Sequence, residues 1–166
     1  MIIYKNNAGG FINEVETNSI TEQIERKFVE NYGRRVSESE KRSWSNSMQF
    51  MGNIIRRSKI DTSAGILVEY NLPATPYRID FIVAGEDENL DKNFIIIELI
   101  QWEEASSTDK DDVVVSFVGG AKRETTHPSY QATSYKLYLA DYNENVYKGD
   151  INVQSCAYLH NYKENY

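Results

Sequence analysis

The hydrophobic period changes near residue 64, and that change restricts the chain to folds in which helices pack on a sheet. Upstream, Ile20, Ile24, Phe28 and Tyr32 recur every four residues and define one apolar helix stripe, with Gly33 as a stop. Ser19-Ile20-Thr21-Glu22 reads as a capping box in front of it, and Ser37-Glu38-Ser39-Glu40 as a second. Trp44, Met48, Met51 and Ile55 then predict a helix over 38–57, whose last turn carries Arg56 and Arg57 where the dipole favours positive charge.

Downstream the apolar runs are short and β-branched or aromatic. Ile66–Tyr70, Tyr77–Val83, Phe94–Ile100 and Val113–Val118 predict strands, the last ended by Gly119-Gly120. Met1–Tyr4 is a further short strand, followed by a loop around Gly9-Gly10, and Gly85–Asn93 is a polar, acidic loop. Phe94-Ile95-Ile96-Ile97 is continuously apolar, the pattern of a strand covered on both faces. Pro128 suits the first turn of a helix that puts Gln131, Tyr135, Leu139 and Asn143 on one face. Ile151–Val153 and Cys156–Leu159 close the chain as strand pieces. The expected architecture is one α/β domain over residues 1–166, with a helical N-terminal part at about 17–57 and a core at about 64–162.

A length of 166 residues suffices for one hydrophobic core. The single cysteine, Cys156, excludes an internal disulfide and is expected to be buried in its strand. No N-terminal segment reads as a signal peptide and no run reaches membrane-spanning length, so a cytoplasmic location is expected. The net charge of −7 argues against binding nucleic acid through the whole surface. Charge is uneven, however: Arg34 to Lys59 carries seven bases against two acids, either a phosphate-tracking surface or a solvated helix end.

Three acids interrupt the apolar strands: Glu69 in Ile66–Tyr70, Asp80 in Tyr77–Val83 and Glu98 in Phe94–Ile100. A carboxylate in such a run is costly to bury without a partner. Neighbouring strands lie about 4.8 Å apart, so Asp80 and Glu98 can share one divalent ion. Oxygen ligands without a His/Cys cluster favour Mg²⁺ or Mn²⁺, and the Leu99 carbonyl can complete such a site. Glu69 is either a third ligand or a solvent-facing strand residue.

Arg78-Ile79-Asp80-Phe81 and Ile97-Glu98-Leu99-Ile100 resemble the metal-binding strands of the PD-(D/E)XK nuclease superfamily. Gln131-Ala132-Thr133-Ser134-Tyr135 resembles the Gln-X-X-X-Tyr helix motif of its RecB-like branch. With His127-Pro128-Ser129-Tyr130, Gln101-Trp102 and Tyr158-Leu159-His160-Asn161-Tyr162, the chain looks like the nuclease-like domain that precedes a superfamily-one helicase-like ATPase in bacterial proteins. The resemblance spans about Ser19 to Tyr162 and implies a restriction-endonuclease-like fold, a central mixed sheet flanked by helices. It implies metal-dependent cleavage of DNA, or of RNA, in the service of an ATPase partner, in repair or in defence against foreign DNA. No Gly-X-X-X-X-Gly-Lys-Ser/Thr loop for such a motor occurs in this sequence.

Asp80, Glu98, Gln131 and Tyr135, together with Glu69 and Ile100, are then the expected catalytic positions. The family's lysine would fall at position 100, which is isoleucine. Losing an electrostatic group of that kind costs roughly 10²–10³ in rate. Lys136 and Lys122 are candidates to replace it, a silent nucleic-acid-binding module is the alternative, and an acidic protein-interaction domain is a third reading. His127 either touches a phosphate or caps the helix before Pro128, and Trp102 either packs or stacks on a base.

Overall fold

A strand, a run of helices, a run of strands, two further helices and a last strand build a five-stranded sheet with helices on both faces. The computed structural model describes residues 1–163, so the last three residues of the expected domain lie outside the described residues. The elements are β1 (Ile2–Asn7), α1 (Ala8–Glu16), α2 (Ile20–Tyr32), α3 (Glu38–Arg57), β2 (Gly65–Asn71), β3 (Arg78–Glu86) and β4 (Lys92–Ile100), followed by β5 (Ala105–Ser107), β6 (Val113–Val118), β7 (Ala121–Thr126), α4 (Pro128–Tyr142), α5 (Glu144–Tyr147) and β8 (Asn152–Leu159). The main sheet runs β1-β2-β3-β4-β8, and β5-β6-β7 form a separate small sheet. The strands β1 to β4 are antiparallel neighbours, whereas β8 lies parallel to β4, as a helical crossover through α4 requires.

Each sheet face has its own core. Phe11, Phe28, Trp44, Met48 and Met51 of the N-terminal helices pack with Ile66, Val68, Phe81 and Val83. On the opposite face Tyr135 and Leu139 of α4 pack with Leu67, Ile79, Ile82, Ile96 and Val153. The N-terminal helices therefore share a core with the sheet.

Helix α1 replaces the expected Gly9-Gly10 loop. Two glycines there lower helix propensity, but tertiary contacts override it. Asn7 Oδ1 accepts from Gly10 N at 2.7 Å as an N-cap, and Phe11 and Val15 are buried. A Cβ at Gly10 would lie 2.4 Å from Asn6 Oδ1, so any larger residue there displaces the Asn6 side chain.

The Ser37 cap is present, its Oγ accepting from Glu40 N at 3.2 Å. Ser19 makes no side-chain cap to its helix, because its Oγ donates back to Glu14 O at 3.3 Å. The two expected C-terminal strand pieces are one strand, β8. The acidic loop is shorter than expected, since β3 extends to Glu86 and β4 begins at Lys92. Strands β5 and β7 escaped the sequence reading because Ala-Ser-Ser and Ala-Lys-Arg-Glu-Thr-Thr carry almost no apolar alternation.

Two burial expectations are corrected. Strand β4 is not covered on both faces, for Ile95 is exposed beyond the helices that sit over β1 and β2. Cys156 is exposed for the same reason, on the edge strand β8. Among the described residues no helix is long and apolar enough to cross a membrane.

Candidate active site

The β3–β4 ladder stops at Phe81↔Ile97, one residue before Asp80 and Glu98 would face each other. There the Asp80 carboxylate takes the place of a ladder acceptor, with Oδ2 accepting from Leu99 N at 2.9 Å. Asp80 N in turn lies 3.5 Å from Glu98 Oε1. The β2–β3 register skips the Glu69/Asp80 pair, and Glu69 has a left-handed φ of 59°. Phe81 and Val68 belong to one core, Ile79 and Tyr70 to the other, so both strands switch faces at this unpaired row while the register stays the same on either side. A non-glycine residue with positive φ stores strain of the kind found at functional sites.

Helix α4 brings its polar edge to this point. Gln131 Nε2 donates to Glu98 Oε2 at 2.8 Å and to the Tyr135 hydroxyl at 3.0 Å. The helix starts at His127, whose Nδ1 accepts from Ser129 N at 3.2 Å, so His127 is a cap here. Glu98 is 1 % exposed and Glu69 is 4 % exposed.

The acids are unequal. Glu69 Oε1 accepts from Trp44 Nε1 at 2.6 Å, while its Oε2 meets the Arg78 guanidinium. Arg78 also reaches Glu40 Oε1 at 3.5 Å. Glu69 is thus held in an internal ion pair on the α3 side, neither solvent-facing nor turned to Glu98. Burial nevertheless outweighs the Arg78 charge and pushes Glu69 up to about 7. Burial also raises Asp80, against the Leu99 N–H and Arg78, which pull it down. Glu98 is raised furthest, by burial and then by repulsion from Asp80. Burial and the neighbouring Glu98 push the Tyr135 phenol up to about 12, so it stays neutral and accepts from Gln131.

A buried Glu98 whose proton affinity is raised by the half-buried Asp80 beside it wants a proton or a cation between them. Their all-oxygen donor set fits Mg²⁺ or Mn²⁺, which one or two carboxylates hold with water completing the shell. Asp80 and Glu98 would hold the ion, and Leu99 offers its carbonyl. Among the described residues no three His, Cys, Asp or Glu side chains converge as a metal cage, so any ion here rests on two protein carboxylates.

Neither replacement lysine reaches the pair. Lys136 Nζ lies 3.5 Å from Gln154 Oε1, and Lys122 pairs with Glu104 at 2.8 Å. The Ile100 side chain is half-buried, and its carbonyl accepts from His160 N at 3.2 Å. Trp102 is half-buried in the loop after β4. The basic segment is partly spoken for: Arg34 stacks on Phe28 and Tyr32, Lys41 pairs with Glu25 and Arg56 with Glu16.

Sequence reasoning missed Trp44 and Arg78 as site residues. Trp44 lay on an apolar helix stripe, where only the tertiary fold shows its indole N–H aimed at Glu69. Arg78 carried a signal, a strand cation two residues from Asp80 in an acidic chain. Comparison with protein-family models, with curated proteins and with solved structures returned no match.

Proposed function

We propose that this chain is a restriction-endonuclease-like domain of PD-(D/E)XK type that hydrolyses phosphodiester bonds in DNA with Mg²⁺ or Mn²⁺ held by Asp80 and Glu98. The observation that carries this reading is the pair of carboxylates at the opening of the β3–β4 ladder, with Gln131 donating to Glu98 from the crossover helix. The bound ion would lower the pKa of a water and stabilise charge on a phosphoryl oxygen. The chain's own groups set the stage: Leu99 N–H orients Asp80, Gln131 orients Glu98, and Tyr135 fixes Gln131. Arg78 and Trp44 hold Glu69 off the pair.

Ile100 offers no charge and no proton, and Lys122 and Lys136 are engaged elsewhere. Cutting is therefore slow, by roughly 10²–10³ relative to a lysine-bearing site. A DNA-binding module that does not cut is the second reading, and Ile100 is the residue that favours it. A helicase-like ATPase is the partner that the sequence resemblance supports.

Plasmid, linear and single-stranded DNA incubated with Mg²⁺ or Mn²⁺ test this. The chain as it stands should cut little, Ile100→Lys should cut, and Ile100→Lys/Asp80→Ala should not. An Ile100→Lys protein that binds the ion yet leaves every substrate intact would sink the nuclease reading.

A further inference from the structure

A cavity opens on the α4 side of the sheet, with Gln131 in its wall. It holds about 440 Å³ between α4, the end of β7 and the turn joining β2 to β3. Such a volume falls in the range of about 300–1,000 Å³ usual for small-molecule sites. Tyrosines line it: Tyr130, Tyr135 and Tyr138 from α4, and Tyr77 from the turn. The remaining lining is Leu72, Thr126, Gln131 and Ser134, so no described residue in its wall is charged.

The walls differ in exposure. Tyr135 is buried and bonded to Gln131, and the Tyr138 hydroxyl donates to Pro73 O. Tyr77 and Tyr130 are 58 % and 49 % exposed, and the Tyr77 ring tilts against Tyr135 with centroids 6.1 Å apart. Gln131 belongs to both places, lining the cleft while its amide touches Glu98 at 2.8 Å. The cleft therefore begins one side chain away from the carboxylate pair.

We propose that this cleft takes an unpaired nucleobase of a DNA strand whose backbone lies at Asp80 and Glu98, so that the domain selects single-stranded DNA. The inference rests on the nuclease-type reading above and names its substrate class. An uncharged aromatic slot suits the flat, neutral base, while the phosphate goes to the ion. Tyr77 and Tyr130 stack on the base, and Gln131, Ser134 and Thr126 meet its polar edge. A base inside a duplex is stacked on both faces and paired at its edge, so it enters only after extrusion.

Fluorescence anisotropy with a short labelled oligothymidylate, the same strand as a duplex, and the same strand with an abasic site provides the test, with Mg²⁺ present. Single-stranded DNA should bind tighter than duplex, and the abasic strand should lose most of that advantage. Tyr77→Ala and Tyr130→Ala should each weaken single-strand binding by about 5- to 100-fold, with duplex binding unchanged. Tyr130→Phe should retain binding. Equal affinity for strand and duplex, or full affinity in both alanine variants, overturns the proposal. Thymidine monophosphate binding as tightly as the strand would make this a free-nucleotide site and also overturns it. The nuclease reading fails separately: if Ile100→Lys cuts nothing while tyrosine-dependent single-strand binding persists, the cleft stands and the hydrolytic role falls.

Discussion

Asp80 and Glu98 repel each other in a place with little water, and that tension has measurable consequences. Asp80→Asn keeps an oxygen for Leu99 N–H but removes the charge. It should abolish Mg²⁺ binding in titration calorimetry and raise metal-free stability in urea by about 1 kcal/mol, the equivalent of one pKa unit. Loss of stability instead would mean that the carboxylate is held by favourable charge contacts. Glu69 adds a pH dependence whose sign is fixed. Its folded pKa is raised from 4.5 to about 7, so across that window the folded state binds the extra proton. Stability in metal-free buffer should therefore fall as pH rises through it, and Asp80 and Glu98 push the same way. In Glu69→Gln the fall should be shallower by urea midpoints, and an unchanged slope would remove Glu69 from the account.

At the scale of elements, the site exists because neighbouring strands lose their pairing at one row. The β1–β2 and β2–β3 pairings both skip Glu69, and β4 leaves β3 at the next position. Beyond that row, Gln101 Nε2 donates to Ser43 Oγ at 2.6 Å and to Ser47 Oγ at 3.1 Å, and Ser47 meets His160 Nε2 at 3.1 Å. Helix α3 is thereby tied to the ends of β4 and β8, next to the acids. The other end of α3 is placed by Gly52, where a Cβ would lie 2.7 Å from Val15 Cγ1 of α1. Gly52→Ala gains about 1 kcal/mol of helix propensity but forces the helices apart, at about 1–3 kcal/mol. Denaturant unfolding should show a net loss, and a more stable Gly52→Ala protein would mean the contact is not tight.

For the whole molecule, a cation that binds only the folded site adds stability by mass action. Mg²⁺ should raise the melting temperature at neutral pH, progressively less as acid protonates the pair, and not at all in Glu98→Ala. An equal rise in Glu98→Ala would place the ion elsewhere. Much of this molecule was legible in the residues themselves. The four-residue stripes of α2 and α3 and the β-branched runs of β2 to β4 state their own period, because periodicity is a local property. The acids at 69, 80 and 98 were legible as charges inside apolar strands, and the amide at 131 through its resemblance to the Gln-X-X-X-Tyr motif. Helix α1 was not, because its Asn7 cap and the burial of Phe11 outweigh two glycines only once the sheet is present. The sequence by itself determined the period and residues of α2, α3 and the strands β2 to β4, and that position 100 holds no lysine. Only the tertiary structure decided that Glu69 turns to Trp44 and Arg78 while Glu98 turns to Gln131. That partition depends on a left-handed backbone at Glu69 and on two helices from distant parts of the chain covering opposite faces. Neither is a local property of the sequence.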